Sequence, residues 1–187
     1  MEYTIEITQF CENNCKYCST NATAEGKHIS LDSIIDFLLA NNIQPTDRIN
    51  ISGGEPLAHP YFYEILKACY TLTANVWIYT NMIKQIKYNA EILTEGITVE
   101  ANLCLHENCL EKTITIPKGT KVNLLKFVPT GRGKDISEID VHVSGNMRDD
   151  CSGCEHVLLQ ADGKVVQAPC KKHYESEVAN GIVSTRR

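Results

Sequence analysis

The chain has 187 residues, 43% hydrophobic and 22% charged, enough for one domain with its own core plus a small appendage. Its net charge of −5, from 18 Lys+Arg against 23 Asp+Glu, provides no positive field to draw it onto nucleic acid or an anionic membrane, so neither is an expected partner. There is no run of about 18 apolar residues and no basic start followed by an apolar stretch, so a cytoplasmic location is expected.

Strands and helices alternate from the start. Residues 3–10 carry Ile5 and Ile7 on one side and Thr4, Glu6 and Thr8 on the other, the period of two of a strand. A loop with three cysteines follows. Ser30 is a helix N-cap, and Leu31, Ile34, Ile35, Leu38 and Leu39 form one apolar stripe behind it. A second strand, 48–52, runs into Gly53 and Gly54. Pro60 stands at a first helical position ahead of Phe62, Ile65, Leu66 and Cys69. Further strands are expected at 75–81, 98–105, 122–128 and 139–144. Residues 106–120 and 129–138 show no helical stripe, so the later crossovers are expected to be reduced.

Alternation of this kind predicts parallel pairing in an α/β fold, and a partial (β/α)6 TIM-type barrel is the preferred form. In such a barrel the chemistry lies at the C-terminal ends of the strands, where Cys11, Gly53, Asn81 and His106 fall. Residues 1–145 are assigned to the barrel and 146–187 to a small C-terminal segment. In that segment Asp162-Gly163, between two β-rich runs, signals a hairpin.

The nine cysteines need a chemical explanation, since an odd number in a chain able to fold without staples fits a reducing compartment. Cys11, Cys15 and Cys18 form a CxxxCxxC set that one short loop can curl toward a common centre. Three local thiolates leave one iron of a 4Fe-4S cluster open to an outside molecule. A zinc loop that borrows a fourth ligand elsewhere fits the spacing as well. Ser52-Gly53-Gly54-Glu55-Pro56 closes the second strand at the same end of the sheet. Adjacent glycines admit a ligand close to the backbone, and a glutamate can accept hydrogen bonds from an ammonium group.

CxxxCxxC after the first strand, with GGEP after the second, resembles the radical SAM superfamily. The resemblance implies that Cys11, Cys15 and Cys18 hold a 4Fe-4S cluster whose open iron is chelated by S-adenosylmethionine. It implies that Gly53, Gly54, Glu55 and Pro56 bind the methionine moiety of that cofactor. Tyr17 matches the aromatic that packs near the adenine. Thr80-Asn81 resembles the Thr-Asn-Gly that ends the third strand, with Met82 in place of the glycine. Glu100 and Asn102 are candidates for the ribose or the substrate, and equally for solvated edge positions. The activity implied is reductive cleavage of S-adenosylmethionine to a 5′-deoxyadenosyl radical that abstracts hydrogen from a small-molecule or peptide substrate. A flavodoxin or ferredoxin reductant is implied with it.

Cys151, Cys154 and Cys170 form a second set, a CxxC and a third cysteine across the expected hairpin, a topology suited to a metal. It resembles the twitch or SPASM auxiliary-cluster segments that follow many radical SAM barrels, and so implies a second, auxiliary iron-sulfur cluster. A zinc ribbon lacking one ligand is the alternative. Cys104 and Cys109 are candidates for the fourth ligand of an auxiliary cluster or for places near the substrate, and equally for ordinary thiols, while Cys69 continues an apolar stripe. Arg132, in Pro129-Thr130-Gly131-Arg132-Gly133, is a candidate for a carboxylate or phosphate. Two other classes remain: a glycyl-radical activating enzyme acting on a partner protein, and a non-catalytic iron-sulfur or zinc protein. Against the second stands GGEP, which an electron carrier does not need.

Overall fold

The structure, a computed structural model, describes residues 1–13, 15, 18, 20–80, 98–103, 121–124 and 155–167. Its elements in chain order are β1 (Glu2–Glu6), α1 (Leu31–Ala40), β2 (Arg48–Ser52), a short 3-10 helix (Pro56–Ala58), α2 (Phe62–Leu72), β3 (Val76–Thr80), β4 (Thr98–Leu103), β5 (Lys121–Leu124), β6 (Val157–Leu159) and β7 (Val165–Gln167). They make a mixed α/β architecture around one sheet, in the strand order β5-β4-β3-β2-β1-β6-β7. Every pair but the last is parallel. Among the described residues the sheet ends on β5 and β7, and no pairing closes it into a ring. The strand expected at 139–144 lies outside the described residues.

The sheet owes its two unlike faces to the strand period. Tyr3 and Ile5 of β1, Ile49 and Ile51 of β2 and Val76 and Ile78 of β3 alternate onto one face, each at most 3% exposed. Helices α1 and α2 cover that face with Ile34, Phe37, Leu38, Phe62, Ile65, Leu66 and Cys69. Full burial of one such aliphatic side chain contributes about 1.5–3 kcal/mol, so this layer supplies most of the driving force for the fold. Cys69 is a core residue, as its stripe predicts, and burial pushes its thiol pKa up to about 12.

Several boundaries depart from expectation. Helix α1 starts at its predicted cap, with Ser30 Oγ accepting from the Ser33 backbone N–H at 3.1 Å. Its buried stripe runs through Ile34, Phe37 and Leu38, however, and Leu39 is 72% exposed. A stripe read by spacing alone has an edge one residue wide, and Leu39 falls just beyond it. Pro60 precedes the N-cap of α2, which is Tyr61; the proline that opens a helix is instead Pro56.

The hairpin expected at Asp162-Gly163 forms, with the Gly163 N–H donating to the Gln160 carbonyl at 2.8 Å. It joins the main sheet. Tyr3 pairs with Val157 and Ile5 with Leu159, so β6 covers the edge that β1 would otherwise expose. Val157 and Leu159 are buried alongside Tyr3 and Ile5, which makes the hairpin part of the same core. The proposed domain division at 145/146 lies outside the described residues.

The opposite face is polar and internally bonded. Asn50, 2% exposed, donates from Nδ2 to Glu2 Oε1 at 2.7 Å and Thr4 Oγ1 at 3.0 Å, while its Oδ1 accepts from Arg48 Nε at 2.8 Å. Arg48 also reaches Tyr79 OH and lies 4.1 Å over the Trp77 ring. His156 Nε2 pairs with Thr4 Oγ1 at 2.6 Å. Burial among these groups pulls the His156 pKa below its ordinary value.

Replacing the Asn50 amide by a carboxylate sets an oxygen where a donor now meets Glu2. Asn50→Asp is therefore expected to destabilise the protein by about 2 kcal/mol, because a buried acceptor loses its donor and meets a like charge. Urea unfolding at neutral pH measures this, and a change below about 0.5 kcal/mol would show that the network is not tightly coupled.

Candidate active site

After β1 the chain leaves the sheet and runs beside two other segments. The Ile7 N–H donates to the Ser52 carbonyl at 3.0 Å, the last contact with β2. Thr8 then makes an antiparallel bridge to His28, and Phe10 a parallel one to Thr23, so residues 23–29 return beside the start of the cysteine loop. The Cys11 N–H donates to the Thr23 carbonyl at 2.8 Å. This return segment is invisible to a periodicity argument, because single bridges leave no repeating apolar pattern.

On its other side the loop is bonded to the GGEP turn. The Gly54 N–H donates to the Thr8 carbonyl at 2.7 Å, and the Glu55 N–H to the Phe10 carbonyl at 2.8 Å. Both glycines are needed for this approach, and a Cβ on Gly53 would stand 2.5 Å from the Thr8 carbonyl oxygen. Gly53 also has φ +134°, a conformation that side chains rarely adopt. At Gly54 the obstacle is contact: a Cβ there would stand 2.3 Å from the Phe10 carbonyl oxygen and 2.9 Å from the Ala22 methyl. Glycine is thus required by the union of turn and loop.

Glu55, 3% exposed, has a role inside the protein. Its Oε1 caps the 3-10 helix by accepting from the Leu57 N–H at 3.0 Å, and it accepts from Thr80 Oγ1 at 2.6 Å. One carboxylate thereby ties the end of β2 to the end of β3. Sequence reasoning assigned Glu55 to an ammonium group and did not see this strut, since Thr80 is distant in the chain.

Thr8, 1% exposed, is a second residue that sequence reasoning passed over. Its Oγ1 accepts from the Phe10 N–H at 2.9 Å and pairs with His28 Nδ1 at 2.8 Å. It thus fixes the backbone immediately before Cys11. Behind the turn, His59 accepts the Tyr61 N–H on Nδ1 at 3.1 Å, which leaves the proton on Nε2 to be donated to the Ile29 carbonyl at 3.0 Å. The His28 and His59 rings meet edge to face at 5.0 Å. Burial pulls the His59 pKa below the usual value, against smaller opposing effects of the Ile29 hydrogen bond and Glu64.

The three cysteines lie on this loop, and no disulfide joins them among the described residues. Cys11 is buried, and Cys15 and Cys18 are half-buried. Cys18 Sγ accepts from the Ala22 N–H at 3.3 Å and stands 3.4 Å from Thr20 Oγ1, the kind of contact that steadies a thiolate ligand. Among the described residues no three His, Cys, Asp or Glu side chains converge closely enough to hold one metal ion. A four-iron cluster asks for something different, because each thiolate binds its own iron and the ligands need not meet at a point. Soft sulfur donors on one loop, one deep and two nearer the surface, fit that group.

Other expected site residues divide in two. Glu100 and Asn102 are on β4, in register with Tyr79 and Lys121 and with Asn123 respectively. Tyr17, Asn81, Cys104, Cys109, His106, Arg132, Cys151, Cys154 and Cys170 lie outside the described residues. No described helix is long and apolar enough to cross a membrane.

The family model described as Radical SAM superfamily matches residues 5–103, more than half of the 187-residue chain and the whole of the cysteine loop and GGEP turn. The chain belongs to the radical SAM superfamily, which is largely enzymatic and works with a 4Fe-4S cluster and S-adenosylmethionine. No curated protein matches it.

Two measurements test this construction. Gly54→Ala is expected to cost about 1–3 kcal/mol and to reduce iron retained after anaerobic reconstitution, since the Cβ must push the loop away; unchanged iron and stability would show that the contact is unimportant. The second is pH. His59 and His156 take up protons less readily folded than unfolded, so stability should fall as pH drops below about 6.5, the unfolded value. His59→Gln should flatten that slope between pH 7.5 and 5.5 in urea titrations; an identical slope would remove His59 from the account.

Proposed function

We propose that the protein reductively cleaves S-adenosylmethionine at a 4Fe-4S cluster held by Cys11, Cys15 and Cys18, and directs the resulting 5′-deoxyadenosyl radical to a hydrogen atom of a small-molecule or peptide substrate. When bound, the cluster supplies the electron that breaks the carbon–sulfur bond of the sulfonium. The observation that carries this reading is the direct bonding of the cysteine loop to the GGEP turn through Thr8 and Phe10, which sets a cluster loop and a cofactor turn side by side.

Within that reading the chain's own residues have separate tasks. The backbone of Gly53 and Gly54, with Pro56 starting the next turn, receives the methionine moiety. Glu55 keeps that turn against β3 through Thr80. Tyr17 serves the adenine side, Asn81 is a further cofactor contact, and Glu100 and Asn102 serve the ribose or substrate. Orientation is the main service the protein renders, because a radical attacks whichever C–H bond is held beside it.

Cys151, Cys154 and Cys170 are assigned to an auxiliary iron-sulfur cluster in a segment spanning 146–187, and electrons are assigned to a flavodoxin or ferredoxin. Anaerobically reconstituted protein should then hold about eight irons, and release 5′-deoxyadenosine when given dithionite and S-adenosylmethionine. Cys15→Ala should lower that release at least a hundredfold. No nucleoside from fully loaded wild-type protein would defeat the proposal, and about four irons would remove the auxiliary cluster alone.

A further inference from the structure

Among the described side chains of β1 and β2, the charges on the polar face are accounted for with one exception. On β1, Glu2 and Thr4 are absorbed by Asn50, Arg48 and His156. Glu6, the last residue of the strand, is one step farther along, in register with Ser52 and so directly before Gly53. It is half-buried, yet among the described residues its one hydrogen bond comes from the Ala161 N–H to Oε2 at 3.4 Å. Among the described residues no ion pair reaches it. Arg48 is committed to Asn50, Tyr79 and Glu2, and Lys164 is committed to Asp162 at 2.7 Å. Burial raises its pKa, against the Ala161 hydrogen bond, which lowers it, and nearby Asp162 adds to the rise, as expected of a half-buried carboxylate with no countercharge among the described residues.

From this placement we infer that Glu6 is a substrate-binding residue and that the substrate carries a protonated primary amine. The inference rests on the proposed radical SAM reading, which sets the cofactor at the GGEP turn one residue beyond the Glu6–Ser52 pair. An ammonium suits the position better than a guanidinium. With Oε2 turned to the Ala161 N–H, a planar fork cannot take both oxygens undisturbed, whereas a point charge with freely rotating donors can bond Oε1 alone. Substrate C–H bonds next to or a few carbons from that amine would then lie over the strand ends.

The test uses reconstituted protein with S-adenosylmethionine bound and two probes of equal length, N-acetyl-lysine methylamide and the methylamide of N-acetyl-2-aminoheptanoic acid, titrated by saturation-transfer NMR. Wild-type protein should bind the lysine probe at least tenfold more tightly. Glu6→Gln should erase that preference while its dissociation constant for S-adenosylmethionine stays within about twofold of wild type. Equal affinity of wild-type protein for the two probes overturns the inference, and so does a preference that survives in Glu6→Gln. A parallel loss of S-adenosylmethionine binding in that variant also overturns it, by moving Glu6 into the cofactor site. If Glu6→Gln fails to fold, the wild-type comparison together with Glu6→Asp, which keeps the charge and should keep part of the preference, decides the matter. Release of 5′-deoxyadenosine without any amine preference would sink this inference and leave the proposed activity standing.

Discussion

Two backbone hydrogen bonds, from Gly54 to the Thr8 carbonyl and from Glu55 to the Phe10 carbonyl, hold the site together. They oblige the cysteine loop after β1 and the glycine turn after β2 to travel as one unit. Everything near them is arranged to permit that union. Gly53 supplies a backbone angle that other residues avoid, and Gly54 supplies the missing side chain that lets the loop approach. Thr8 fixes the strand on the loop side, and Glu55 fixes the turn on the β3 side. In a parallel sheet the ends of adjacent strands are already neighbours, so short contacts of this kind suffice to join two chemical motifs.

The sheet beneath is asymmetric in a way that serves the site. One face is aliphatic, sealed by α1 and α2, and provides the stability. The other is polar, with Asn50 as a buried hub whose donors and acceptor are all engaged. A network bonded in this way around Asn50 is rigid, because loosening one member leaves its neighbours unpaired in a poorly hydrated place. The Arg48 guanidinium, stacked on Trp77 and bonded to Tyr79, extends that rigidity from β2 to β3. Rigid support under the strand ends is what a reaction governed by orientation requires.

Much of this was legible from residues with a local mechanism. Ser30 announced its helix because a hydroxyl at that position satisfies a free N–H, and Asp162-Gly163 announced its hairpin because few pairs tolerate that turn. The cysteine triplet and GGEP pointed to one end of the sheet, which is where the structure joins them. What the sequence withheld was contact between distant segments. Leu39 looked like core by spacing and is exposed because the stripe is centred on Phe37. The hairpin looked like an appendage and pairs with β1, a partner about 150 residues away that no window of sequence contains. The Glu55–Thr80 strut and the return of residues 23–29 along the loop were hidden for the same reason.

On the proposed function, the amino nitrogen of S-adenosylmethionine would reach an iron left uncovered by the three ligands proposed, Cys11, Cys15 and Cys18. Electron-nuclear double resonance on the reduced protein, with that nitrogen labelled as 15N, measures this directly. A hyperfine coupling from the label to the cluster is the expected result. A reduced cluster whose spectrum shows no coupling to the bound, labelled cofactor would contradict the account.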